Sequence, residues 1–136
     1  MMIEKIILDY LNQTLSDPVY MHFPQNAPKR LYVLERTGGR RENQICYATY
    51  ALQSYGGSLY DTAAMNNAGV EAMLGAVSLD QVSDVRLNSD YNFTDTTRKR
   101  ERYQAVFDVV HYESEPPEDP GEPEQGTTQQ GTPETP

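Results

Sequence analysis

The sequence predicts an α+β domain of two layers: a largely antiparallel sheet of four to five strands with two helices on one face. Three observations carry that prediction. Residues 44–55 alternate between two sets of side chains, one clearly apolar, which is the period of a strand with one face on a core. Residues 2–15 and 59–77 space apolar side chains by three and four, the period of a helix lying on a core. The elements follow one another as helix, strand, hairpin, helix, hairpin, an order that puts helices over one face of a sheet.

The first helix spans residues 2–15. Ile3, Ile6, Ile7, Tyr10, Leu11 and Thr14 form its core stripe, with Glu4, Lys5, Asp9 and Asn12 elsewhere. Ser16-Asp17-Pro18 ends it, because a residue before proline is pushed out of the α region. A short strand over residues 18–23 is bounded by Pro24, and residues 26–29, with Pro28, form a loop. Residues 30–36 carry Leu31, Tyr32, Val33 and Leu34 as the next strand. Thr37-Gly38-Gly39-Arg40 is the expected turn into the strand at 44–55, since paired glycines supply the positive φ of tight hairpins.

Gly56-Gly57 breaks that strand, and Ser58 caps a second helix over residues 59–77. Its expected stripe is Leu59, Thr62, Ala63, Val70, Met73, Leu74 and Val77. Gly69 and Gly75 either weaken this helix or permit close packing. Residues 82–87 form strand four, residues 88–95 a polar connection with embedded Tyr91 and Phe93, and residues 100–112 strand five. The sheet face away from the helices is expected to carry several tyrosines and to be only partly polar, as partner surfaces are.

Charge divides the chain in two. Residues 1–112 hold all 11 Lys and Arg against thirteen Asp and Glu, whereas residues 113–136 hold seven acids and no base. The net charge of -9 therefore describes the end of the chain more than the domain. Residues 113–136, ESEPPEDPGEPEQGTTQQGTPETP, contain six of the 9 prolines and no large apolar side chain. Such a stretch buries too little to offset the entropy of ordering, so the expectation is a domain at 1–112 followed by a disordered acidic, Pro-rich tail at 113–136. That tail is either a solvating extension or an acidic arm that shields a basic rim or docks on a partner. The opening residues lack the uninterrupted apolar run of a signal peptide. No run approaches the roughly 20 apolar residues of a membrane span. A soluble protein made in a cytoplasm is the expectation.

The residues offer little for chemistry. Cys46, the single cysteine, lies in an apolar strand and reads as a small buried side chain. His22 and His111 have no second ligand at metal-binding spacing. Gly38-Gly39 lacks a phosphate-cradling pattern. Asp90, Asn92 and Asp95 depart from a calcium loop and read as caps of local backbone N–H groups. The expectation is a non-catalytic protein with no cofactor and no metal.

Two basic clusters adjoin strand ends: Arg40-Arg41 after the expected first turn, and Arg98-Lys99-Arg100 with Arg102 before the last strand. They read either as solvated hairpin tips or as contacts for acidic protein groups or phosphate, a task suited to arginine. With Tyr47 on the neighbouring strand, Arg40, Arg41, Arg98, Lys99, Arg100 and Arg102 are the candidate interaction residues. Their placement at strand ends suggests that the two clusters occupy one rim. The interleaved aromatics of an RNA-reading sheet are absent from the expected positions.

Three segments carry a resemblance: MIEKIILDYLNQTLSDPVYMHFP, ALQSYGGSLYDTAAMNNAGVEAML and SDYNFTDTTRKRERYQAVFDVVHY. In order and spacing they resemble the tail terminator (tail completion) family of long-tailed phages and prophages of Gram-positive bacteria. The resemblance covers nearly all of residues 2–112, and the acidic stretch after Tyr112 lies outside it. It implies an α+β subunit of a homo-hexameric ring in the virion, made in the bacterial host cytoplasm. Such a ring caps the head-proximal end of the tail tube, stops tube polymerisation and offers a joining surface to the head-closure or connector protein. DNA passes through it without sequence recognition, and no membrane is involved. Two other readings stand beside this one. The chain is alternatively a head-closure or neck adaptor ring protein of the connector, or a monomeric protein-binding module acting through its acidic tail.

Overall fold

The computed structural model describes residues 2–112; the tail at 113–136 lies outside the described residues. The elements are α1 (Ile3–Thr14), β1 (Val19–Tyr20), β2 (Leu31–Glu42), β3 (Ile45–Tyr55), α2 (Leu59–Gly75), a 3₁₀ turn (Ala76–Ser78), β4 (Val82–Asn92) and β5 (Arg102–Tyr112). They build the expected two-layer α+β domain. The sheet has five strands in the order β1-β2-β3-β5-β4. Every pairing is antiparallel except β1 with β2.

The main core lies between the helices and one sheet face. Ile3, Ile7 and Leu11 of α1 and Met65, Ala72 and Met73 of α2 meet Tyr32, Leu34, Tyr50, Leu52, Phe107 and Val109 from the strands. Phe107 is wholly buried, which alone contributes roughly 2–3 kcal/mol of transfer free energy. Burial also pushes the Tyr32 hydroxyl up to about 12; it stays protonated and donates to the Met65 carbonyl at 2.9 Å.

The stripe by which α2 meets the sheet differs from the expected one. Thr62, Met65, Asn66, Gly69, Ala72 and Met73 are buried, while Leu59, Leu74 and Val77 are exposed. Gly69 explains the rotation: a Cβ there would stand 2.8 Å from Leu52 and 3.2 Å from Tyr32. Gly69 lets the helix approach the sheet closely between the buried Met65 and Met73. Asn66 follows onto the same side and donates to the Asp90 carboxylate at 2.7 Å. Ser58 caps the helix as expected, accepting from the Asp61 N–H at 3.1 Å.

The first hairpin turns later than expected. Thr37-Gly38-Gly39-Arg40 is strand, and the turn is Asn43-Gln44, both at positive φ (53 and 69). Glu42 pairs with Ile45, which defines a two-residue loop of the type that matches strand twist. The glycines serve the strand. Thr37 is an extra residue between the pairs Arg36–Tyr50 and Gly38–Thr49, a β-bulge. A Cβ on Gly39 would stand 2.7 Å from the Tyr47 carbonyl oxygen. β4 is likewise longer than expected and takes in residues 88–92, while β1 is only Val19–Tyr20.

A second, smaller core sits on the other face of the sheet. Leu31, Val33 and Tyr55 are covered there by Tyr20, Phe23 and Ala27 of β1 and the following loop. Arg30 pins that loop, bridging Asp17 at 3.1 Å and Asp61 at 2.8 Å. Hydrogen bonds to Asp17 and then Asp61 raise the pKa of its guanidinium still further.

Candidate functional site

The second sheet face is covered at one end only. Beyond Tyr55 and Val33 it presents Thr49, Gln53, Gln104, Asp108, Val110 and Tyr47, none of them buried. Cross-strand side-chain hydrogen bonds tie its strands together. Gln53 donates to Gln104 at 2.8 Å, and Thr49 to Asp108 at 3.4 Å. Tyr47, Tyr91 and Tyr112 lie on or beside it, as the expected tyrosine-bearing face requires, whereas Tyr32 and Tyr50 are buried in the main core.

The two basic clusters do not share a rim. Arg40 pairs with Tyr47 at the start of β3, and Arg102 pairs with Tyr55 at its end. Eight residue steps along β3, from Tyr47 to Tyr55, separate them by roughly 27 Å. The reason is topological: β3 leaves the hairpin tip beside Arg40 and ends where β5 begins.

At the Arg102 end, the arginines turn inward onto a buried carboxylate. Asp95 is 3% exposed. It accepts from the Arg98 N–H at 3.0 Å, the Arg98 guanidinium at 3.1 Å and the Tyr55 hydroxyl at 3.2 Å. Arg102 approaches the same carboxylate at 3.8 Å, binds the Tyr55 hydroxyl at 3.1 Å and donates to the Phe93 carbonyl at 2.6 Å. Burial opposes ionisation of Asp95, yet the Arg98 N–H and guanidinium, the Tyr55 hydroxyl and the Arg102 charge outweigh it and hold the carboxyl below its usual range. Burial raises the pKa of Tyr55, against the pull of Arg102.

Aromatic rings complete this corner. The Arg98 guanidinium lies 4.2 Å from the centre of Phe23, and Arg102 4.2 Å from that of Phe93, distances at which a cation is attracted by the ring face. Phe23 also meets Tyr55 edge-on, with centroids 5.0 Å apart. Arg100 reaches across to the carbonyls of Pro28 and Lys29 and so ties the β4–β5 turn to the loop of the second core. Lys99 sits at the exposed tip with φ 55. Phe23, Pro24, Gln25, Ala27, Arg98 and Arg100 line an open groove of ≈ 520 Å³ beside this anchor.

The Arg40 end is built differently. The Arg40 guanidinium sits over the Tyr47 ring, 4.0 Å from its centre, and pairs with Glu42 at 2.8 Å. Both members of that ion pair are more than half exposed, which makes it worth little. Arg41 is exposed and alternates to the other side of the strand. Gly39, Arg40, Tyr47, Thr49, Asp108 and Val110 contribute to the lining of a second open groove, of ≈ 400 Å³.

Sequence reasoning found the arginines and missed their partners. Asp95 reads as a backbone cap, which it is for Arg98, but its burial is not legible. Phe23 stands far from residues 98–102 in sequence, and no local signal joins them. Cys46 is buried as expected, and the structure sets it directly across from His111. That imidazole is buried too, with Nδ1 2.9 Å from the Tyr112 carbonyl oxygen and Nε2 without a partner among the described residues. His22 is exposed. Among the described residues, no three His, Cys, Asp or Glu side chains gather as a metal site would require, and no helix is long and apolar enough to cross a membrane.

No protein-family model matches this chain, and no curated protein matches it.

Proposed function

We propose that this protein is a non-catalytic structural subunit that joins copies of itself into a ring at the head-proximal end of a phage tail tube. In that role it ends tube polymerisation and presents the surface to which the head-closure or connector protein docks. The ring is a hexamer located in the virion, and DNA passes through it without sequence recognition. The reading draws on the resemblance of residues 2–112 to tail terminators.

One observation supports it above the others: a single sheet with two long margins, on opposite sides, that have no paired strand among the described residues. β1 pairs with Tyr32 and Val33 of β2, and among the described residues no strand lies beside residues 35–42 on the outer edge. The outer edge of β4 has no strand beside it among the described residues. Unpaired edges are templates for pairing with another chain. Two unlike edges on opposite margins suit a head-to-tail contact, which closes into a ring when the rotation allows.

Both margins also carry devices that restrain premature pairing. Thr37 bulges out of β2, and register shifts at Val82/Asp84 and Leu87/Ser89 interrupt β4. Bulges and charges on edge strands blunt edge-to-edge association. A subunit of this kind stays apart in solution and closes where a tube end holds neighbours at high effective concentration. The inward-turned Arg98, Arg100 and Arg102 act in this reading as anchors of the fold, and Lys99, Arg40 and Tyr47 serve contacts with tube or connector.

Electron microscopy of particles made without the protein tests the proposal. Overlong tails beside filled heads are the expected outcome. Normal-length tails beside heads that have lost their DNA would move the assignment to a head-closure or neck adaptor ring, and normal infectious particles would remove both.

A further inference from the structure

We propose that the corner built around Asp95 is a docking surface for an acidic segment of another protein, one that lays an apolar side chain against Phe23 and sets its carboxylates on Lys99 and Arg100. In the phage-tail reading that segment belongs to the tube or the connector, an assignment that rests on that reading; the chemistry of the site does not.

Charge sets this corner apart. Residues 21–29 and 95–102, which build it, hold five Lys and Arg against two acids, whereas the rest of residues 1–112 holds six against eleven. A basic corner thus stands on an otherwise acidic body, and such a patch steers and orients a partner of opposite sign. Within the corner, Asp95 pairs with Arg98 and Arg102. Arg100 donates to the uncharged carbonyls of Pro28 and Lys29, and Lys99 is exposed at the tip. Among the described residues, neither Lys99 nor Arg100 has a carboxylate at ion-pair distance.

Its surface has the composition of an interface. Arg98 and Arg100 stand with Phe23, Pro24 and Ala27 around the open groove of ≈ 520 Å³, inside the range of roughly 300–1,000 Å³ that takes a small ligand or a side chain. Tyr91 and Phe93 are exposed beside Arg102, with ring centroids 5.8 Å apart. Arginine and aromatic side chains in this mixture are the residues on which protein interfaces concentrate their binding energy.

The corner is also fixed before anything binds. Asp95 and Arg100 exchange backbone hydrogen bonds at 2.9 and 3.0 Å, and the Asp95 carboxylate holds the Arg98 N–H and guanidinium at 3.0 and 3.1 Å. Between them Lys99 takes φ 55, a conformation uncommon for a residue with a side chain, which the closed turn enforces. Arginines already immobilised lose little further freedom on binding. The same features favour protein over nucleic acid. Lys99 and Arg100 are too few charges to follow a phosphate backbone, and a polyanion extending past the corner would run onto the acidic body of the domain. The guanidinium groups of Arg98 and Arg102 already cover a face of Phe23 and of Phe93, where a base would stack.

Titration of the full-length protein, followed through its backbone amide resonances, tests this with two synthetic pentapeptides of equal charge. One has four glutamates around a central phenylalanine, and the other has alanine at the centre. The expected result is saturable shifts confined to Phe23, Ala27 and Arg98–Arg100. The phenylalanine peptide should bind roughly tenfold more tightly, since partial burial of one aromatic side chain is at stake. Lys99→Glu, at an exposed site, is expected to weaken that binding by roughly three- to tenfold. Equal affinity for the two peptides would overturn the proposal and reduce the corner to bare charge, and so would shifts centred on Arg40 and Tyr47. An oligothymidylate that shifts the same amides at lower concentration than the phenylalanine peptide would overturn it in favour of nucleic acid. Particles made without the protein are scored separately, so normal tails there would sink the assignment to tube or connector and spare the docking chemistry.

Discussion

At one end of the open sheet face, three arginines converge on Asp95, Tyr55 and two phenylalanine rings; at the other, Arg40 lies over Tyr47 and pairs with an exposed glutamate. Both clusters are arginine-rich and both adjoin strand ends, yet one is an anchor and the other a solvated surface. The difference is set by what lies across from each. The loop after β1 folds Phe23 over Tyr55 and closes the Arg102 corner, whereas Tyr47 carries the exposed Arg40 side chain. A basic cluster in sequence thus describes charge, and the chain that covers it decides whether that charge serves stability or contact.

The sharpest way to break this contrast is Asp95→Ala. Removal of the carboxylate takes the ion partner from Arg98 and Arg102 and the acceptor from the Tyr55 hydroxyl, and should cost about 3 kcal/mol in denaturant unfolding, below the top of the range for a buried pair because Arg98 is partly exposed and Arg102 keeps the Phe93 carbonyl and the Tyr55 hydroxyl. Loss of less than about 0.5 kcal/mol, the scale of an ordinary surface change, would make the corner as loose as its opposite. Gly39→Ala tests the other end. Its new Cβ meets the Tyr47 carbonyl, and a loss of roughly 1–3 kcal/mol is expected from forced displacement of the strand.

Acid should separate the two ends as well. The Asp95 carboxyl is held below its usual value in the folded protein, so between the folded value and the ordinary carboxylate range the unfolded chain binds more protons. Stability rises with pH in that window and is lost as pH falls through the folded value. The difference in unfolding free energy between the natural protein and Asp95→Asn should shrink on acidification through that window; a constant difference would contradict the assignment. The smallest effect on stability belongs to Arg40→Glu and Lys99→Glu, each within about 0.5 kcal/mol. Both should nonetheless weaken joining to tube or connector, read as a fall in infectious particles from folded, soluble protein.

Much of this was legible in the sequence because local rules and burial agreed. The alternation at Cys46, Ala48, Tyr50 and Leu52 marks a strand face, and all four are buried. The α1 stripe at Ile3, Ile7 and Leu11 also faces the core. Legibility failed where backbone approach outweighed side-chain bulk. Gly38-Gly39 resembles a turn, but Gly39 serves a crowded strand while Asn43-Gln44 takes the positive φ. Gly69 draws α2 onto Leu52 and Tyr32, so that Leu74 and Val77 turn outward despite their hydrophobicity. The candidate site was half legible for the same reason. Arg98, Lys99, Arg100 and Arg102 announce themselves as a run, whereas Phe23 and Tyr55 become their neighbours only through the fold.

The proposal that open margins of β2 and β4 are satisfied by other copies of the chain is tested most directly by mass. The full-length protein is measured alone and bound to purified tail tubes. A single copy in solution and a closed ring at each tube end, with slowed amide exchange over residues 35–42, is the predicted result. One copy under both conditions, with exchange at those amides unchanged, would contradict it.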